Sequence, residues 1–441
     1  MDIIIMVLTI ILDIISIFYF RKKSKKVDLI KFPIFWLIVP WLVCLSFYSL
    51  LGLKFQYELK FSGYIYILLF LLSFCSGYYI ISKRKKKNID KYKKAEDIKE
   101  EKRKIDTLKF TIISTISMLI YTIILVLNND IIVGTTRNIK LNGINTILLA
   151  ISSVSLIIWL YELIFSITNG KIISFRAIVC AIVFNIPGFL ISGRDALMVF
   201  ILATFIGYIY SIKKLKKMDK TKYKKIKSFS LKIIVIALIF LIIYLILLTN
   251  NRYGKNDDSA LSMFEFAGGT QFPKYLINLY YHSGIGKVII NLIFYYSSQF
   301  TKLQILLDNY HGPYLLGLYQ LHIISRHIPD SFYFSFKNVS SQIKAITTAV
   351  GLPGTKELWG TTIEYFIYDY GIYLTPIISL LYGLLYGYIF RKQDNDNLSI
   401  VLQVILCVGM FLTVEMSPIF DYFYVFPLIW ILILNWRRKN E

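Results

Sequence analysis

Long apolar runs alternate along the chain with short, lysine-dense polar stretches, and the spacing of the two sets the first expectations. Runs of about 18 or more apolar residues are what a helix needs to cross about 30 Å of hydrocarbon. They predict eleven spans at 3–20, 33–52, 64–82, 108–127, 144–168, 174–192, 196–212, 233–249, 369–390, 398–415 and 421–436. The fold class expected is therefore an all-α polytopic membrane protein. Its domains read as an N-terminal bundle of about eight spans over 1–249, a large extracytoplasmic loop over 250–368 between the eighth and ninth spans, and a C-terminal bundle of about three spans over 369–441.

Composition agrees with this pattern. Hydrophobic residues make up 56% of the 441 positions and charged residues 17%, yet 50 Lys and Arg against 27 Asp and Glu leave a net charge of +23. A nucleic-acid binder would carry such charge on a soluble fold with groove-reading or stacking elements. Here the lysines flank apolar spans, so the charge reads as topology and contact with anionic lipid headgroups.

Basic clusters stay on the cytoplasmic side of a membrane. Arg21 to Lys26, Lys83 to Lys104, Lys213 to Lys232, Arg391 with Lys392, and Arg437 to Lys439 all fall on one side when the eleven spans are threaded. The N-terminus is then expected outside and the C-terminus inside, in a cytoplasmic (inner) membrane. The first span carries its positive charges after the apolar run and lacks a small-x-small cleavage pattern, so it reads as a retained helix.

Val288 to Leu307 is broken by Tyr295-Tyr296-Ser297-Ser298-Gln299, Thr301 and Lys302. It is expected as a helix lying at the membrane surface or against the bundle, with a re-entrant hairpin as the other option. Cys44, Cys75, Cys180 and Cys407 all fall within spans, which points to neither a disulfide framework nor a metal motif. Asp13 lies deep in a span and is expected to pair inside the bundle, whereas Glu162, near a span end, can reach the interface.

Candidate chemistry concentrates on the outer side. Arg194, in Gly193-Arg194-Asp195, lies at the turn of a hairpin between two spans, and Arg252 lies just beyond the eighth span with Lys255 close by. An arginine next to hydrocarbon offers a planar fork of donors that suits a phosphate or diphosphate; a salt-bridged, capped turn is the other reading of Arg194 and a headgroup contact that of Arg252, and the two together are better explained by an anionic lipid substrate. His282, His311, His322 and His327 all belong to the large loop. Their spacing argues against a metal site, and His327, beside Arg326, is preferred as a general base. Asp257, Asp258, Glu265, Asp308, Asp330, Glu357, Glu364 and Asp369 are the outer carboxylates, and spacing does not choose among them. Tyrosines and phenylalanines are dense over 264–319 and 365–388, a pattern that interfacial belts largely explain and that would also suit stacking on sugar rings.

Ser192-Gly193-Arg194-Asp195-Ala196-Leu197 at an outer hairpin, Arg252 after the next span, Gly312-Pro313-Tyr314 with Ile328-Pro329, and Thr361-Thr362 with Tyr368-Asp369-Tyr370-Gly371, Gly383 and Gly387 together resemble the oligosaccharide repeat-unit polymerases of O-antigen and capsule assembly, the Wzy-type family. The resemblance covers about two thirds of the chain. It implies an inverting, metal-independent glycosyltransferase that needs no cofactor and joins undecaprenyl-diphosphate-linked oligosaccharides at the outer membrane face. Under it Arg194, Arg252 and His327 are the catalytic set. Arg194, Arg252, Lys255, Arg326, Tyr314 and Asp369 would bind the diphosphate and glycan. The partners implied are lipid-linked glycans, membrane lipids, and a flippase and chain-length regulator of the same pathway, with no nucleic acid. An O-antigen ligase and a lipid-linked oligosaccharide flippase are the alternatives. The flippase would call for two similar halves, and no such repeat is visible in the spacing.

Overall fold

A computed structural model describes residues 3–26, 33–82, 106–128, 143–191, 195–228, 243, 244, 246, 258–321, 330–357, 360–391 and 396–440. Ten of the eleven expected spans meet a helix within these residues; the eighth, 233–249, lies almost wholly outside them. Six helices, including Ile3–Lys26, Phe61–Ser82 and Asp195–Met218, are long and apolar enough to cross a membrane, and shorter apolar helices accompany them. Ile3, Phe18, Leu72, Leu127, Tyr373 and Trp436 are exposed on these helices, as side chains facing lipid would be. The chain is thus an all-α membrane-embedded protein. Among its described residues the strand content is one antiparallel pair, Lys54–Phe55 with Thr270–Gln271.

Two expected spans take a different form. Residues 144–168 are two helices, Gly143–Ser152 and Val154–Thr168, separated at Ser153. The ninth span starts earlier than expected, as Thr362–Arg391, and its backbone leaves the helix at Gly371 (φ 75°, ψ 173°). That φ belongs to the left-handed region that glycine enters without steric cost.

The chain forms two compact units. The first comprises Met1–Phe74, Lys227–Leu380 and Cys407–Asp421; the second comprises Cys75–Ile226, Leu381–Leu406 and Tyr422–Glu441. In the second unit Val154–Thr168 is the central helix. Its residues Val154 to Ile158, Leu160, Leu163, Ile164 and Ile167 are buried, and Thr107–Asn128, Phe175–Ile191, Asp195–Met218 and Tyr422–Asn440 pack around it. At Gly207 the helix Asp195–Met218 faces Leu160, Leu163 and Ile164.

In the first unit two helices organise the rest. α1 (Ile34–Leu50) is buried along most of its length, and α2 (Gly284–Asn309) lies along it. α2 covers the segment expected at the membrane surface or against the bundle, and it is one continuous helix packed along α1. Its 26 residues span about 39 Å at 1.5 Å per residue, and every residue from Ser297 to Leu306 is buried. Asp13 is paired inside this unit: its carboxylate accepts the Ser46 hydroxyl at 2.7 Å. The strand pair closes against α2's neighbours, with Gln56 N–H donating to Gly269 at 2.8 Å and the Tyr275 hydroxyl to Leu51 at 2.8 Å.

Candidate functional site

The described polar side chains converge in the first unit, where α2, the turn 310–321 and the first turns of α3 (Thr362–Arg391) meet. α3 begins with the carboxylate arm of a capping box. Glu364, at the third helical position, accepts the backbone N–H of Thr361 at 3.2 Å, which satisfies an amide that the helix itself cannot. Thr362 anchors the same end from outside, through its N–H to Thr413 at 2.9 Å and its hydroxyl to Met416 at 2.9 Å.

Asp369, two turns further on, is fully buried. Its carboxylate accepts the backbone N–H of Tyr319 at 2.8 Å and that of Gln320 at 3.1 Å. Leu315 and Leu316 donate their own N–H groups to the carbonyls of Tyr368 and Asp369 at 3.1 and 2.8 Å. The turn 315–320 is therefore held on α3 by four hydrogen bonds, two of them to a charge. The side chain of Gln320 continues the network by accepting the Ser417 hydroxyl at 3.1 Å.

Tyr314 is exposed, and its ring covers Gly371: a Cβ built there would sit 3.1 Å from it. The Tyr310 hydroxyl donates to the Pro313 carbonyl at 2.5 Å. Tyr310, Tyr319, Tyr365 and Tyr368 form a cluster of tilted and edge-to-face rings with centroids 4.8–6.3 Å apart, the separations at which aromatic quadrupoles attract.

Next to this cluster lies a buried ion pair that spacing had not singled out. Lys302 Nζ is 3.9 Å from Glu364 Oε2, with the two side chains 8% and 0% exposed. In sequence Lys302 is an interruption of an apolar stretch, and Glu364 is one outer carboxylate of eight. The signal that marks them is periodic: Ser297, Ser298, Thr301, Lys302, Gln304 and Asp308 recur at three- and four-residue spacing, so they share one side of a helix. Asp308 ends this polar side at a more open position. It accepts Tyr57 at 2.5 Å, Lys60 Nζ at 2.7 Å and Gln304 at 3.0 Å. Burial pushes its carboxyl up, but the hydrogen bonds and charge of Lys60, with Tyr57 and Gln304, outweigh burial and hold it below the usual carboxylate range.

Of the residues expected to carry chemistry, Tyr314 and Asp369 are brought together here. Arg194, Arg252, Lys255, Arg326 and His327, together with His322, lie outside the described residues. His282 ends the helix Lys274–His282, where its Nδ1 is 2.7 Å from the Asn278 carbonyl, and His311 is exposed beside the Gly-Pro-Tyr turn. Among the described residues no group of three or more His, Cys, Asp or Glu is placed to hold a metal ion. Compared with family models, curated proteins and solved structures, the chain shows no significant match to any of them.

Proposed function

We propose that the protein is a polymerase of lipid-linked oligosaccharide repeat units in bacterial surface polysaccharide synthesis. It moves the growing glycan from undecaprenyl diphosphate to a new lipid-linked repeat at the outer face of the cytoplasmic membrane. The observation that carries this reading is the junction of two separated sequence blocks, both of which belong to the resemblance: Gly312-Pro313-Tyr314 and the turn after it are seated on Tyr368-Asp369-Tyr370-Gly371 by the Asp369 hydrogen bonds. An exposed tyrosine next to a rigid turn is the kind of surface on which sugar rings stack.

In this reading eleven spans place the N-terminus outside and the C-terminus in the cytoplasm. Arg194 and Arg252, with Lys255, hold the diphosphate and stabilise the negative charge that develops as it departs. His327, beside Arg326, takes the proton of the acceptor hydroxyl, so that the glycosidic bond forms as the bond to the diphosphate breaks. Asp369 keeps the turn in register, and Tyr314 meets the glycan.

The test is the length distribution of surface polysaccharide in a strain lacking this gene, and in that strain restored with wild type or Arg194→Ala. Collapse of the ladder to a single exported repeat, rescued by wild type alone, is the expected result. Full-length chains left on the carrier lipid would identify a ligase, repeats trapped inside would identify a flippase, and an unchanged ladder would end the proposal.

A further inference from the structure

We propose that Glu364 and Lys302 form a proton-binding site inside the first unit, at which the Glu364 carboxyl gains and loses a proton while the protein stays folded. The competing explanation is a static ion pair on a capped helix. The capping box accounts for Oε1 of Glu364, which takes the Thr361 N–H. It does not account for Oε2, which is buried and has no hydrogen-bond partner among the described residues. Lys302 Nζ stands 3.9 Å away, beyond hydrogen-bond length. A buried ion pair offsets the desolvation of two charges only with short, well-aligned contacts. A carboxylate with one oxygen unsatisfied falls short of that, so protonation competes with ionisation.

The site is also built to hold this carboxyl. A Cβ at Gly360 would lie 2.2 Å from Oε2 and 2.9 Å from the carboxyl carbon, so a larger residue at 360 would displace the carboxyl from its present position. One helical turn before Lys302, both polar atoms of the buried Gln299 have no hydrogen-bond partner among the described residues, and neither do the hydroxyls of Ser298 and Thr301. Hydroxyls and amides can both donate and accept hydrogen bonds, so these groups can reorient as the charge of the pair changes. Thr301, Gln304 and Asp308 continue the polar side of α2 to its end, where Gln304 donates to Asp308 and Asp308 is 25% exposed.

The titratable and charged groups that act with Glu364 are Lys302 from α2, Tyr368 from α3, and Tyr319 from the turn 310–321, which faces both Glu364 and Asp369; Glu415, bound by the Tyr296 hydroxyl, belongs to the turn that receives Thr362. Proton uptake turns the carboxylate into a carboxylic acid and takes the pair from net zero to plus one. This site does not depend on the glycan chemistry proposed above and is measured without it.

The experiment is infrared pH titration of the purified full-length protein in lipid nanodiscs. We expect a carbonyl-stretch band of a protonated carboxylic acid that grows as the pH falls, shifts in heavy water and is missing from Glu364→Gln. In Lys302→Met the cation that favours ionisation is gone, so the band should persist to higher pH, by about one unit or more. Should Glu364→Gln fail to fold, Lys302→Met alone decides through this midpoint. No band at any pH where the protein is folded would show a static pair. A band whose midpoint ignores Lys302→Met would belong to another carboxyl, and either result overturns the proposal.

Discussion

The carboxylate of Asp369 accepts the backbone N–H of Tyr319 at 2.8 Å, across 50 positions of sequence. A side chain expected to touch substrate is thus engaged with loop backbone at one oxygen by Tyr319 and at the other by Gln320. Asp369→Ala leaves two amides without their acceptor and should cost about 3 kcal/mol. Thermal unfolding in detergent checks this, and proteolysis should cut the 315–321 turn first. Asp369→Asn should fall between, since an amide oxygen serves one donor while its NH2 opposes the other.

Gly371→Ala should destabilise by about 1–3 kcal/mol, because the residue sits at φ 75° and an added Cβ meets the Tyr314 ring at 3.1 Å. Combining it with Tyr314→Ala removes the ring contact and leaves the backbone strain. The double variant should therefore recover only part of the lost melting temperature, and full recovery would refute the backbone account.

The Tyr57–Lys60–Asp308 cluster predicts a pH dependence of defined sign. Asp308 is held below the usual carboxylate range in the folded protein, first against burial and then by Lys60 and Tyr57. Its contribution is fully present above the unfolded value of about 3.9 and is lost as the pH falls through the lower folded value. Because Lys60 is 60% exposed, the amount should stay below about 1 kcal/mol. Acid unfolding of Asp308→Asn should lack this component, whereas at neutral pH the variant should already be slightly less stable than wild type.

In the second unit Gly387 faces the backbone of Tyr78, and a Cβ there would lie 2.7 Å from the Tyr78 carbonyl oxygen. Backbone cannot move aside as a flexible side chain can. Gly387→Ala should cost about 1–3 kcal/mol and Gly387→Leu more, read as lower melting temperature and lower yield of inserted protein.

Arg194→Lys separates charge from geometry within the proposed function. Lysine keeps the positive charge without the planar fork. If the diphosphate is held bidentately, polymer should be lost in Arg194→Lys nearly as fully as in Arg194→Ala; near-normal ladders in Arg194→Lys would reduce the role of residue 194 to charge alone.

Secondary structure was legible from hydropathy because backbone in lipid must satisfy its hydrogen bonds internally, as a helix does, and the side chains of such a helix must be apolar over the thickness of the hydrocarbon. Phe61–Ser82 and Thr107–Asn128 lie within a few residues of their expected bounds. The break at Gly371 was not legible. A glycine inside an apolar run is compatible with an unbroken helix, and only the turn docked on Asp369 requires the change of direction.

What sequence alone determined is therefore the class of protein and the existence of most helices, since both follow from local composition and period. Tertiary structure decided which polar residues meet. Lys302 and Glu364 stand 62 positions apart, and nothing local to either says that they approach within 3.9 Å. The same holds for Asp369, whose residue type suits a ligand, a cap or a clamp equally. Its role as a clamp follows from the placement of the Tyr319 and Gln320 amides, a long-range fact set by packing rather than by any spacing along the chain.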